Sequence, residues 1–308
     1  MALLFKSGSS RTQWWLDEFK RQAPDLEVRI WPEVGNPADI DFALVWLPEP
    51  GELKRYPNLK AIFSLGAGVD HLFRDPELPK LPITRVVDIN LTRRMTEYVV
   101  LQVLRHHRQS PAYEEQQRQS HWQELKQPAA DQRTVGIMGL GVLGADAAKK
   151  LVNLGFNVIG WSRTKKRAAK IKSYAGTAEL DAFLGASEIL VCLLPLTRDT
   201  ENILDARAFS KLPRGASFIN VARGAHVVEG DLIAALDSGQ LSHATLDVFR
   251  KEPLPPESPF WLHPKVTVTP HCASYTDPRT VIGQVVENMR RARSGEPLLH
   301  SVDITLGY

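Results

Sequence analysis

Along the first hundred residues, short apolar runs alternate with polar stretches of helical character. The runs and stretches are Ala2 to Phe5, Trp14 to Arg21, Leu26 to Trp31, Phe42 to Trp46 and Leu59 to Leu65. Such alternation predicts βαβ units around a parallel sheet. From about Met95 to Glu124 the pattern turns helical and predicts one long helix leaving the first domain. A second series follows, with strand-like runs at Thr134 to Met138, Asn157 to Trp161, Glu188 to Leu194, Ala216 to Val221, Ala244 to Phe249 and Val266 to Thr269. Six runs separated by helical segments predict a doubly wound sheet. A last helix, Asp277 to Ser294, has no third strand series to join and is expected to return to the first domain. The expected fold class is therefore α/β, with two Rossmann-like or flavodoxin-like domains built on doubly wound parallel sheets and a cleft between them. Residues 1–100 plus 275–308 would form one domain, and residues 101–274 a second, Rossmann-like one.

A chain of 308 residues is long for one domain and natural for two. Its hydrophobic share of 43% and charged share of 24% are those of an ordinary globular protein. A formal net charge of +3, spread over many residues, argues for neither a nucleic-acid nor a membrane partner. Cys192 and Cys272 stand far apart and outside any ligand spacing, so neither a disulfide framework nor a zinc site is expected. His106 and His107, adjacent on a helix, point apart, and no metal is expected. The apolar run near Met1 is too short for a signal-peptide core, and no stretch reaches the ~20 apolar residues of a membrane helix. The expected compartment is the cytoplasm.

Gly139-Leu140-Gly141-Val142-Leu143-Gly144 follows a strand-like run and opens a helix-like one, which is the context that gives G-x-G-x-x-G its meaning. Gly139 would make the tight turn, Gly141 would admit a pyrophosphate to the backbone, and Gly144 would let helix and strand pack closely. An NAD-preferring site usually places an acid about 20 residues further on, against the ribose 2′-hydroxyl. Here Ser162, Arg163, Thr164 and Lys165 occupy that region instead. Two hydroxyls, a guanidinium and an ammonium suit a 2′-phosphate, so NADP(H) is expected over NAD(H).

Arg223, Glu252 and His271 lie in the strings Asn220-Val221-Ala222-Arg223-Gly224, Asp247-Val248-Phe249-Arg250-Lys251-Glu252-Pro253 and Thr269-Pro270-His271. Each follows a strand-like run, and ligands of open α/β sheets bind beyond the carboxyl ends of the strands. An arginine to hold a carboxylate, a histidine to move a proton and an acid to tune that histidine are what hydride transfer to an α-keto acid requires. In the first domain, Leu65-Gly66-Ala67-Gly68 ends a strand with two glycines, a candidate anion-binding nest. Trp46, also at a strand end, is either an apolar wall for a small substrate or core.

These strings and the glycine turn resemble the D-isomer-specific 2-hydroxyacid dehydrogenase family over the full chain. Gln13-Trp14-Trp15, Leu44-Val45-Trp46, the Gly66 loop, Trp161-Ser162-Arg163-Thr164 and Glu252 to Ser258 are most similar to its glyoxylate/hydroxypyruvate reductase A group. The resemblance implies NADPH-dependent reduction of glyoxylate and hydroxypyruvate to glycolate and D-glycerate. Arg223 would bind the substrate carboxylate and polarise the keto oxygen. His271 would donate the proton, and Glu252 would orient it and favour its charged form. The resemblance further places Val142, Leu143, Leu194, Pro195, Val221, Ala222 and Asp247 against the cofactor, although Asp247 is also read as a capping or turn residue. It has the Gly66 loop against the substrate, and it implies a homodimer with Trp122 reaching across the interface. The alternatives are an NAD-dependent dehydrogenase of another D-2-hydroxy acid such as 3-phosphoglycerate, or a non-catalytic dinucleotide-sensing module. Arg93 and Arg94 depart from the group's pattern: facing solvent they leave the small keto acids as substrates, whereas facing the cleft they would admit a larger anionic one such as phosphohydroxypyruvate.

Overall fold

The computed structural model describes residues 2–8, 12–167 and 169–308. The chain divides into two compact units, Met1–Leu91 with Tyr275–Tyr308, and Thr92–Ser274.

The first unit is a five-stranded sheet of β1 (Ala2–Lys6), β2 (Glu27–Ile30), β3 (Ile40–Val45), β4 (Ala61–Ser64) and β5 (Ile83–Thr84). The strands are all parallel and lie in the order β2-β1-β3-β4-β5, the flavodoxin-like winding. β1, with five buried residues, reads as one apolar run because both its faces are covered. Helix α1 (Thr12–Gln22) turns Trp15 and Phe19 onto Phe5, with ring centroids 5.5 and 5.9 Å away. A short helix, α2 (Asp70–Phe73), follows β4. β5 has two residues, too few for any period, and escapes a sequence reading.

The second unit begins within α3 (Ile89–His107), which is followed by α4 (Ser110–Arg118). The single helix expected from 95 to 124 is thus two: Gln109 adopts φ 57° between them, and Pro111 stands in the first turn of α4. Proline starts a helix readily but lacks the N–H and the room to continue one. Seven parallel strands follow: β6 (Thr134–Met138), β7 (Asn157–Ser162), β8 (Lys172–Ala175), β9 (Ile189–Cys192), β10 (Ala216–Asn220), β11 (Leu241–Leu246) and β12 (Val266–Val268). Their order is β12-β11-β10-β9-β6-β7-β8. The direction of winding reverses between β6 and β9, the position at which doubly wound sheets bind ligands. β8 is a half-exposed edge strand rich in polar atoms, so no apolar run announces it. Helices α5 (Val142–Asn153), α6 (Leu180–Gly185), α7 (Ala206–Lys211) and α8 (Glu229–Asp237) complete this unit.

Helix α9 (Pro278–Ser294) belongs to the first unit. Asp277 caps it by accepting the Arg279 N–H at 3.0 Å, and Gly295 ends it at φ 67°. Val281, Ile282, Val285 and Met289 form its buried face. The tail after α9 is tied to β5 through the Val302 N–H to the Ile83 carbonyl (2.8 Å) and an antiparallel bridge between Ser301 and Thr84.

A very close backbone approach in the second unit falls on Gly144 in α5. A Cβ there would stand 1.9 Å from the Gly139 carbonyl oxygen, so an alanine would have to push α5 off β6. Gly144→Ala is expected to cost about 1–3 kcal/mol by overpacking. Denaturant unfolding that gives wild-type stability for this variant would contradict the contact.

Candidate active site

The glycine turn occupies the winding reversal. Gly139 leaves β6 at φ 102°, donates its N–H to the Trp161 carbonyl at 2.8 Å, and lies so close to Leu193 that a Cβ would be 2.6 Å from that carbonyl oxygen. Gly141 is the N-cap of α5, and a Cβ built on it meets nothing within 4 Å. Two of the three glycines are therefore demanded by the protein's own backbone, whereas Gly141 faces open space, as a glycine that admits a ligand should. The N-terminus of α5 points its N–H groups and its positive dipole end there. Val142 is exposed and Leu143 half-buried in this first turn.

Beside this turn β7 ends at Ser162, whose hydroxyl donates to the Thr164 carbonyl at 2.9 Å. Arg163, Thr164 and Lys165 are exposed. Lys165 pairs with Glu179 at 3.1 Å, and the Glu179 carboxylate is itself fixed by the Ala175 N–H at 2.6 Å. A cradle open at Gly141 and a polar, cationic turn one strand away fit a dinucleotide that carries a 2′-phosphate. Leu194 and Pro195 follow β9, and Val221 and Ala222 follow β10; of these Pro195 is half-buried and the others are buried.

Arg223 stands just beyond β10, half-buried, its Nη1 donating to the Ala222 carbonyl at 2.7 Å. Its main chain is held by Asn220 Nδ2 donating to the Arg223 carbonyl at 3.0 Å and by His226 Nδ1 at 3.1 Å from the same oxygen. Gly224 then passes so near the next loop that a Cβ would lie 1.9 Å from the Phe249 carbonyl carbon. This approach brings the Arg223 loop against the segment that carries Glu252. Glu252 Oε1 accepts the Phe249 N–H at 2.8 Å, and Oε2 faces His271 Nδ1 at 2.7 Å. The pair is about one-third exposed on each side. With a carboxylate opposite Nδ1, that nitrogen is assigned the proton shared with Glu252.

Burial pushes the Glu252 carboxyl up. The hydrogen bonds from His271 and the Phe249 N–H, with the His271 and Arg223 charges, outweigh burial and hold it below its ordinary value. The Arg223 charge is thus felt at Glu252, and the three residues named from separate strings share one electrostatic neighbourhood.

In the first unit, Trp46 continues β3 with its N–H on the Lys6 carbonyl. Its ring lies over Gly66, where a Cβ would meet it at 2.6 Å, and 4.4 Å from the His71 ring. Gly66 donates its N–H to Ser64 Oγ (3.1 Å), and that hydroxyl donates to the Gly68 carbonyl (3.2 Å). A nest in this loop would accordingly draw on Ala67 and Gly68. Leu65 is buried, with its carbonyl accepting the Thr276 hydroxyl at 2.5 Å. Arg93 is exposed and Arg94 half-buried, whereas Trp122 is fully exposed.

The sequence profile of the D-isomer specific 2-hydroxyacid dehydrogenase NAD binding domain matches residues 100–273. The fold and sequence are similar to a D-isomer specific 2-hydroxyacid dehydrogenase from Xanthobacter autotrophicus Py2 in complex with NADPH and MES. Identity is 46%, coverage 100% of this chain and 99% of that one, and the TM-score 0.95. The chain belongs to the D-isomer specific 2-hydroxyacid dehydrogenase family. An NADPH-dependent glyoxylate/hydroxypyruvate reductase from Sinorhizobium meliloti, in complex with NADP and sulfate, is 44% identical over 100% of both chains, with a TM-score of 0.93. A probable 2-hydroxyacid dehydrogenase from Rhizobium etli CFN 42, in complex with NADP, HEPES and L(+)-tartaric acid, is 39% identical with a TM-score of 0.91, covering 100% of this chain and 99% of that one.

For a 2-hydroxyacid dehydrogenase, several residues that hold the site are invisible as chemistry in the sequence. Arg250, within one of the distinctive strings, spends its guanidinium on the Val227 carbonyl (2.7 and 2.9 Å) and the Ala225 carbonyl (3.2 Å), which pins the loop after Arg223. His226 is fully buried, with its ring between the Arg223 carbonyl and the Pro195 carbonyl, 3.3 Å from the latter. Asp247, 1% exposed, accepts hydrogen bonds from the Thr269 hydroxyl and the Cys272 and Ala273 N–H groups. Apart from the bond between His226 and the Arg223 carbonyl, these bonds join partners distant in sequence, so spacing alone carries no sign of them. His106 and His107 serve different neighbours. His106 is 2.9 Å from Thr245 Oγ1 and pushed down to about 3 by burial, whereas the His107 ring meets that of Phe156 edge-on. Among the described residues no group of three His, Cys, Asp or Glu side chains could hold a metal ion. No described helix is long and apolar enough to cross a membrane.

The depressed Glu252 carboxyl has a thermodynamic signature. Its folded value lies below the unfolded value of about 4.3, so its contribution is complete above that value and is lost as pH falls through the folded one. The stability difference between the wild type and Glu252→Gln should therefore shrink as pH falls below about 4.3. Urea unfolding across that range measures it, and a difference that grows on acidification would contradict the assigned pair.

Proposed function

We propose that this enzyme reduces glyoxylate and hydroxypyruvate to glycolate and D-glycerate with NADPH. The observation that carries the reading is the His271–Glu252 pair, 2.7 Å apart, in the field of Arg223 and on the same strand ends as the glycine turn. The similar Sinorhizobium meliloti enzyme is named for this reaction, and relatives from three organisms hold NADPH or NADP.

When bound, the nicotinamide supplies the hydride. Arg223 holds the substrate carboxylate and draws electron density toward the keto oxygen, stabilising the negative charge that develops there. His271 enters protonated and delivers the proton from Nε2 to that oxygen. Glu252, ionised and hydrogen-bonded to Nδ1, keeps the ring oriented and compensates its positive charge. Residues 101–274 bind the cofactor and residues 1–100 plus 275–308 the substrate, through Trp46 and the Leu65 to Gly68 loop. Ser162, Arg163, Thr164 and Lys165 hold the 2′-phosphate, while Val142, Leu143, Leu194, Pro195, Val221, Ala222 and Asp247 flank the dinucleotide. The enzyme acts in the cytoplasm, a reading supported by its two unpaired cysteines. It works as a homodimer with neither nucleic acid nor membrane as partner; a fully exposed Trp122 suits burial in such an interface.

Steady-state assays with NADPH and NADH on glyoxylate, hydroxypyruvate, phosphohydroxypyruvate and pyruvate test this directly. A higher kcat/KM with NADPH and on the first two acids is expected. Equal or better use of NADH, or no turnover of either acid, would overturn the reading. Arg223→Ala should lower kcat/KM by roughly 10²- to 10³-fold, about 3–4 kcal/mol of lost transition-state stabilisation. Reduction should fall as pH rises and His271 loses its proton; a rate that stays flat into alkaline solution would remove His271 as the acid.

A further inference from the structure

His271 adopts φ 51°, in the left-handed region that costs a non-glycine residue free energy and persists only where its surroundings enforce it. The enforcement is local and complete. The His271 N–H donates to the Asp247 carbonyl at 2.8 Å, and the Asp247 side chain takes the next two N–H groups, of Cys272 and Ala273, both at 2.9 Å. A third donor fixes that carboxylate: Thr269 Oγ1 lies 2.6 Å from Asp247 Oδ1. Because the threonine proton goes to the carboxylate, the hydroxyl accepts from Tyr98, whose phenol oxygen is 2.6 Å away.

Tyr98 is on α3, which is rigidly seated. Met95, Val99 and Val103 are buried in a hydrophobic cluster with residues of β6, α5 and β9, and Thr96 donates to Asp146 of α5 at 2.6 Å. The same helix therefore references both the helix of the glycine turn and the loop of the acid. We propose that Tyr98 and Thr269 are positioning residues that act through Asp247 to hold the His271 ring where its Nε2 meets the substrate. The inference rests on the reading of His271 as the proton donor. Burial raises the Tyr98 phenol well above its ordinary value, so this donor keeps its proton throughout the working range.

Four variants test it, with kcat expressed per NADPH-binding site so that misfolded protein does not count. Thr269→Val should lower kcat about tenfold with the KM for NADPH within about twofold, and Thr269→Ser, which restores the hydroxyl, should recover most of the loss. Tyr98→Phe should lower kcat about threefold, and Tyr98→Phe/Thr269→Val should be no slower than Thr269→Val alone, because the two act in series. Amide exchange at Cys272 and Ala273 should be faster in Thr269→Val than in the wild type. Unchanged kcat in Thr269→Val, no recovery in Thr269→Ser, multiplied losses in the double variant, or unchanged exchange at both amides would each overturn the proposal. The exchange measurement needs no substrate. A wild type inactive on every keto acid would refute the proposed reaction, while the exchange rates would still decide whether Thr269 holds the loop.

Discussion

Parallel pairing is the constraint on which the site depends. In a sheet whose strands all run one way, every carboxyl end emerges on the same edge. Turns separated by dozens of residues then become neighbours without any direct pairing between them. The parallel ladders from β7 through β6, β9, β10 and β11 to β12 set the ends of these strands side by side. Ser162 closes β7, and Gly139, Leu194, Arg223, Asp247 and His271 all follow such ends. A slip of one residue in any ladder would turn that strand's side chains to the opposite faces and carry its terminal loop with it. The pairing of these strands, buried for the most part on both faces, thus sets both the core and the placement of their terminal loops.

Backbone proximity refines what the sheet places. Gly224 against Phe249 and Gly144 against Gly139 are approaches that no side chain could share. The first draws the arginine loop onto the acid loop, and the second draws the N-terminal end of α5 onto the sheet. Between these contacts the polar groups of the site are largely spoken for: Glu252 by His271 and Phe249, and Asp247 by three donors. Preorganisation of this kind places the cost of ordering the site in folding rather than in each turnover.

Much of this was legible before any coordinate. Apolar runs bounded by turn residues marked ten of the twelve strands among the described residues, and the strings around Arg223, Glu252 and His271 marked three residues that share one electrostatic neighbourhood. Illegible parts share a physical character. β5 is too short for a period, and β8 is an edge strand that need not be apolar. The break at Gln109 depended on how Pro111 would be used, since proline serves equally well to open a helix as to end one. Within the site, Arg250, His226 and Thr269 act through bonds to main chain or to residues far off in sequence. Asp247 could be named in advance, but that its carboxylate would be occupied by the loop of His271 could not.

The first unit is made from both ends of the chain, and this governs the order in which it can be assembled. β5 lacks its antiparallel neighbour, and α1 lacks α9, until synthesis has passed through the whole of Thr92–Ser274. The second unit is contiguous and possesses all its strands by the time Val268 is made. During synthesis from the N-terminus the dinucleotide-binding sheet can therefore close first, while the older sheet waits with an uncovered face for its last helix.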